Sequence, residues 1–182
     1  MRYFEDIAVG EVWHLGRREV GAEEIIAFAT QYDPQPFHTD AAAAEKSFFG
    51  GLIASGWHIN AMVMGLLVDN IKAQELHGLG SPGIDRCRWL APVRPGDVLS
   101  GRVTVMAARR SATRPMGLVT LRTENFNQLN VKVVQMDGVG MYGLRPAPGW
   151  TWTCLRRLCR RAGSPGSVPA IRPRAWPTPA RP

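Results

Sequence analysis

Lysine and acidic residues are missing from the last 36 positions of this 182-residue chain, and that gap governs how its charge is read. The formal net charge is +7 and the pI about 10, a balance that ordinarily points to nucleic acid or an anionic membrane surface. Seven of the 22 basic residues, all arginines (156, 157, 160, 161, 172, 174 and 181), lie in residues 147–182, leaving 15 against the 15 acids of residues 1–146. The first 146 residues are formally neutral, which takes away the usual warrant for a nucleic-acid partner. Cysteine is scarce too: Cys87, Cys154 and Cys159 form an odd set without metal-ligand clustering, so neither a disulfide framework nor a zinc site is expected. The N-terminus lacks a basic stretch followed by an apolar run, and no segment reaches the roughly 18 uninterrupted apolar residues of a membrane span. These absences predict a soluble, reduced, cytoplasmic protein.

Residues 147–182 hold seven of the 14 prolines, three tryptophans and no sustained periodicity. We expect a disordered basic Pro/Arg-rich tail outside the domain. A basic arm for nucleic acid or anionic lipid is the functional alternative. The mixture of Arg, Pro, Ala, Gly, Trp and Cys without Lys, Asp, Glu, Asn or Gln also fits GC-rich DNA read in an altered frame, and that origin is the one we favour.

Residues 1–146 are the expected domain, since a chain of this length with 45% hydrophobic content supports one well-buried core. Residues 12–20 mix β-branched and aromatic side chains with polar ones and end at Gly21, predicting a strand. A short helix follows, with Ile25, Ile26, Phe28 and Ala29 on one face, Glu23 and Glu24 in its first turn, and Asp33-Pro34 at its exit. Pro34 and Pro36 exclude continuous helix, so residues 33–40 are expected to be a loop. From Gly56 to about Ala73, Ile59, Val63, Leu66, Leu67 and Ile71 recur at helical spacing. So apolar a helix should be buried on much of its circumference. Four strand-like runs close the domain, at 84–90, 97–107, 116–126 and 131–142. In two of them residues alternate, Leu99, Gly101, Val103 and Val105 against Val98, Ser100 and Arg102, and Val119 and Leu121 against Thr120 and Arg122. The order predicts an α+β fold, a curved antiparallel sheet around one long helix.

The chemistry-bearing residues lie in 28–58. Asp33 and His38 sit five apart on the proline-stiffened stretch. A carboxylate and an imidazole, the side chain that ordinarily titrates nearest neutrality, can there converge on one water or substrate atom. Spacing alone equally allows Asp33 as a turn cap and His38 as a surface residue. The run Gly50-Gly51-Leu52-Ile53-Ala54-Ser55-Gly56 delivers the chain to the long helix, whose free N–H groups and positive dipole end can bind developing negative charge on a thioester oxygen. Ser55 as an N-cap after a glycine turn is the structural alternative. His14 and His58 are lone histidines that fit packing or exposure better than catalysis. Arg88, Arg94 and Arg109 fit solvated positions better than nucleotide-phosphate contacts.

The string Tyr32-Asp33-Pro34-Gln35-Pro36-Phe37-His38, followed by Phe49-Gly50-Gly51-Leu52-Ile53-Ala54-Ser55-Gly56, resembles the hydratase signature of the MaoC-like dehydratases and R-specific enoyl-CoA hydratases. The similarity runs on through Arg88 to Asp97 and covers about residues 4–146. It implies a hot-dog fold, a homodimer or dimer of dimers, and acid/base chemistry on an acyl-CoA or acyl-carrier-protein thioester without metal or redox cofactor. Asp33 and His38 would be the catalytic pair and the Gly56 amide the donor to the thioester carbonyl. Ser55, Trp57, Phe37 and Phe49 would contact substrate, and Phe48, Phe49, Trp57 and residues after the helix would build the pocket wall. Two positions depart from the pattern: Gln35 stands where Asn is usual, and Met64 falls about where a serine supports the aspartate. They leave room for a differently shaped substrate. A thioesterase on the same fold and a non-catalytic acyl-CoA-binding subunit are the competing functions; no nucleic-acid or membrane partner is implied.

Overall fold

The computed structural model describes residues 1–146; the expectations for residues 147–182 lie outside the described residues. After a 3-10 turn at Phe4–Asp6 come strand β1 (Val12–Glu19), helices α1 (Ala22–Tyr32), α2 (Pro36–Thr39), α3 (Ala41–Glu45) and α4 (Gly56–Ala73), and strands β2 (Gly78–Trp89), β3 (Val98–Arg110), β4 (Met116–Phe126) and β5 (Lys132–Gly143). The five strands form one antiparallel sheet in the order β1-β3-β4-β5-β2. With α4 laid across the sheet's apolar face this is the α+β hot-dog fold, as expected from the sequence.

Local chemistry explains the boundaries that position the site. α1 starts where the Glu24 carboxylate accepts from the Gly21 amide at 3.0 Å, and stops at Tyr32 because Pro34 disfavours helical backbone at Asp33. Residues 33–40, expected to be a loop, contain a helical turn instead. Pro36 takes the first helical position, where its missing N–H costs nothing, and its fixed φ starts α2. The Asp40 carboxylate then caps α3 by accepting from the Ala42 and Ala43 amides at 2.8 and 3.1 Å.

α4 has the bounds read from the sequence, but its burial is confined to one stripe rather than spread over much of its circumference. His58, Ile59, Met62, Val63 and Leu66 are buried, whereas Trp57, Met64 and Val68 are exposed. The buried stripe joins two clusters. One gathers Ile59, Met62 and Val63 with Val20, Leu99 and Val134; the other sets Leu66 against Trp13, Val103, Val119 and Tyr142. Each such side chain stabilises the fold by roughly 1.5–3 kcal/mol relative to exposure. The expected alternation holds: Leu99, Val103, Val105, Val119 and Leu121 all turn inward.

β2 departs most from its sequence. It begins at Gly78, not near 84, because the glycine-rich run Gly78-Leu79-Gly80-Ser81-Pro82-Gly83 pairs with β5 through two register shifts, a third following between Ile84 and Arg86. Gly80 and Gly83, at φ +111° and +154°, supply the backbone freedom those bulges need. No helix among the described residues is long and apolar enough to cross a membrane.

Candidate active site

Three short segments meet at the N-terminus of α4. The end of α1 carries Asp33, α2 carries His38, and the chain entering α4 carries residues 53–56. They are tied by direct bonds: the Ile53 amide donates to the Phe37 carbonyl at 3.3 Å, the Ile53 carbonyl meets His38 Nδ1 at 2.8 Å, and Ser55 Oγ donates to Asp33 Oδ2 at 2.7 Å. From behind, the Val93 carbonyl accepts from the Ala54 amide at 2.8 Å.

This stitching orients both groups. A carbonyl only accepts, so His38 Nδ1 carries the hydrogen, and in the neutral ring Nε2 is the acceptor. Nε2 lies 3.5 Å from Asp33 Oδ2, close enough for both atoms to address one water but long for a direct hydrogen bond. Asp33 receives a donor on each oxygen, Ser55 Oγ on Oδ2 and Gln35 Nε2, at 2.8 Å, on Oδ1. The Ser55 hydroxyl above all, then Gln35 and nearby His38, hold the Asp33 carboxyl below the ordinary carboxylate value, outweighing the opposing effect of partial burial.

Both groups face a cleft of about 530 Å³, also lined by Phe37, Phe49, Gly56 and Trp57. Gly56 opens α4, and among the described residues no acceptor is recorded for its amide. The close approach that Gly56 permits is made by Trp89: a Cβ on Gly56 would lie 2.5 Å from Trp89 Cε2, and the Trp89 indole N–H donates to the Gly56 carbonyl at 3.0 Å. Trp57 and Trp89 meet edge to face, 5.8 Å apart, at the cleft's rim.

Several residues sit differently from their sequence-based placement. Ser55, expected at the substrate, is fully buried and does not line the cleft; it caps α4 through the Trp57 amide at 3.2 Å and orients Asp33. It therefore supplies the hydroxyl whose place was assigned to the position of Met64, while Met64 is 44% exposed beside a second groove. Of the residues expected in the pocket wall, Phe49 and Trp57 line the cleft, Phe49 packing on Phe37 at 5.1 Å, whereas Phe48 points into solvent at 98% exposure. His58 is buried and stacked on Phe28 at 4.6 Å, its basicity lowered mainly by burial; His14 is exposed. Sequence reasoning missed Gln35 and Ser55 as Asp33's partners, and Trp89 as Gly56's neighbour. Only Gln35 carried a local signal, two residues from the carboxylate it serves.

The profile of the MaoC like domain matches residues 8–125. The chain is 30% identical over 134 residues to mesaconyl-CoA hydratase of Cereibacter sphaeroides, covering 70% of this chain and 37% of that protein, so it spans little more than a third of that relative's length. It superposes on the MaoC-like dehydratase of Rhodospirillum rubrum with a TM-score of 0.72 and 40% identity, over 80% of this chain and 99% of that one. The (R)-hydratase of A. caviae involved in PHA biosynthesis gives a TM-score of 0.60 and 28% identity, over 78% and 99% respectively. A matching profile over most of the domain, on a hot-dog fold whose cleft gathers the signature's Asp33, His38 and Gly56, is decisive: the chain belongs to the MaoC-like dehydratase family.

Proposed function

We propose that the protein is a hydro-lyase that adds water to, or removes it from, an acyl thioester of the trans-2-enoyl/3-hydroxyacyl type, with Asp33 and His38 as its acid/base pair. The observation that carries the reading is the opposite condition of two groups facing one cleft: a carboxylate kept anionic by two donors, and an imidazole whose Nε2 is left as acceptor by the Ile53 carbonyl. A water between them donates one hydrogen to each. In hydration, Nε2 takes a proton as the water oxygen bonds to C3. The electron pair of the C2–C3 double bond moves toward the thioester carbonyl, where the Gly56 amide and the α4 dipole stabilise the oxyanion. The imidazolium then returns its proton to C2, restoring the site. Dehydration runs through the same groups in reverse, with Nε2 taking the C2 proton and returning it to the departing C3 hydroxyl.

The hydratase activities of the A. caviae and C. sphaeroides proteins agree with this chemistry. The carrier fits as CoA or an acyl-carrier protein, and the cytoplasm as the compartment. A second copy of the chain is the expected partner: edge strand β2 is exposed along nearly all its length, beside an apolar groove of about 410 Å³ that includes Met64, Val68 and Ile84.

Incubation with crotonyl-CoA tests the reaction. Loss of the enoyl absorbance without free thiol supports hydration. Release of free thiol shows hydrolysis instead, and neither change removes the enzymatic reading on this substrate class.

A further inference from the structure

The turn between β2 and β3 reaches across to the cleft through one side chain. Arg94 Nη2 donates to the main-chain carbonyl of Phe49 at 2.5 Å, bridging residues 45 apart. Gly51 makes room for it: a Cβ there would lie 2.9 Å from Arg94 Nη1, and Gly51 holds φ +146°. Among the described residues the guanidinium has no carboxylate partner, so an acid does not explain its position.

Arg94 is itself anchored. Its amide donates to Asp97 Oδ2 at 2.8 Å, Gln128 Nε2 donates to Asp97 Oδ1 at 2.9 Å, and the Val98 amide donates to Gln128 Oε1 at 2.9 Å. Asp97 is bound into the sheet through its carbonyl, which accepts from the Val20 amide at 2.9 Å. The sheet thus holds the turn, the turn holds Arg94, and Arg94 holds Phe49. Phe49 in turn packs on Phe37, 5.1 Å away, which meets the His38 ring edge at 4.4 Å.

We infer that Arg94 is a positioning residue which fixes the main chain at Phe49 and so sets the cleft wall that determines which acyl groups fit. This rests on the cleft being the acyl-thioester site. Arg94 lies outside the residues lining that cleft and touches no reacting atom, so its effect falls on substrate fit rather than on proton transfer.

The test compares wild type, Arg94→Met and Arg94→Lys by amide hydrogen exchange and by kinetics on enoyl-CoAs of increasing chain length. In wild type the Gly50 and Gly51 amides are bonded to the Ser47 and Ala44 carbonyls at 3.1 and 3.0 Å. In Arg94→Met these two amides exchange about tenfold faster or more, while the Met62 and Val63 amides in α4 keep their wild-type rates, which separates a loosened loop from a failed fold. KM rises by about tenfold for at least one chain length and the length preference shifts, with kcat on crotonyl-CoA changing less than about threefold. Arg94→Lys, which keeps a donor, recovers part of both effects. Unchanged exchange at Gly50 and Gly51 overturns the inference, as does a fall in kcat without a KM change, or a uniform, salt-sensitive loss of CoA affinity that would make Arg94 an anion contact. Should the wild type turn over no enoyl thioester, the proposed reaction falls, and the exchange result alone decides whether Arg94 holds the loop.

Discussion

Replacing Ser55 separates two tasks that one hydroxyl performs. Ser55 Oγ donates to Asp33 Oδ2 at 2.7 Å and accepts from the Trp57 amide at 3.2 Å. A hydrogen bond to a charged acceptor contributes about 1.5–3 kcal/mol, and losing a serine N-cap to alanine costs about 0.5–2 kcal/mol. Ser55→Ala should therefore destabilise the protein by about 2–5 kcal/mol, a fall in Tm of roughly 4–20 °C. Ser55→Gly keeps the helix start to within a few tenths of a kcal/mol but still loses the donor to Asp33, so its Tm should fall less. Catalysis should not distinguish the two. Each leaves the Asp33 carboxylate free to rotate away from His38 Nε2, and kcat/KM on an enoyl-CoA should fall about 10–100-fold, or about 1.4–2.7 kcal/mol. Because Ser55 is the main cause of Asp33's lowered pKa, its removal raises that pKa, and the acid limb of the kcat/KM profile should move to higher pH. The assays are thermal melts by circular dichroism and initial rates from pH 4 to 9. A Ser55→Gly protein that is folded, with wild-type kcat/KM and an unmoved acid limb, would refute the role given to this hydroxyl.

Gly56→Ala should cut kcat/KM by at least about tenfold, because its Cβ would meet Trp89 at 2.5 Å and displace the indole beside the amide donor; steady-state kinetics with tryptophan emission as a structural control checks this. Asp33, Glu124 and Asp137 all have lowered carboxyl pKa values. Their contribution to stability is full above the ordinary carboxylate range and lost as pH falls through their folded pKa values. Urea midpoints should thus decline below about pH 4, with Glu124→Gln lower than wild type at pH 7 but converging on it in acid. Leu99→Ala, at a fully buried position, should cost about 2–5 kcal/mol in urea unfolding without altering KM. Ile84→Lys on the exposed edge strand should shift the protein toward monomer in sedimentation if a second copy covers that face.

The helix that carries the site was legible because its signals agree: Ser55 caps it, and Ile59, Val63 and Leu66 recur on one face. β4 has the bounds its alternation gives, residues 116–126. The start of β2 was hidden because Gly78 to Gly83 have turn composition and become strand only by pairing with β5. α2 was hidden because Pro36, which with Pro34 argues against continuous helix, is also suited to the first position of a new helical turn. At the site, Asp33 and His38 share a short segment, but Ser55 reaches Asp33 across 22 residues and Trp89 reaches Gly56 across 33. Such partners belong to the tertiary fold, and no local pattern encodes them. The outward faces of Phe48 and Met64 likewise follow from how the segments pack, not from their apolar character.

The most direct test of the central claim is a double-mutant cycle on kcat/KM for crotonyl-CoA hydration with Asp33→Asn, His38→Ala and the pair together. If the two groups share one water, each single change should lower the rate by about 10²–10⁴-fold, and the double change should cost little more than the worse single one. Singles that retain near-wild-type turnover, or losses that add in full, would contradict an acid/base pair at this site.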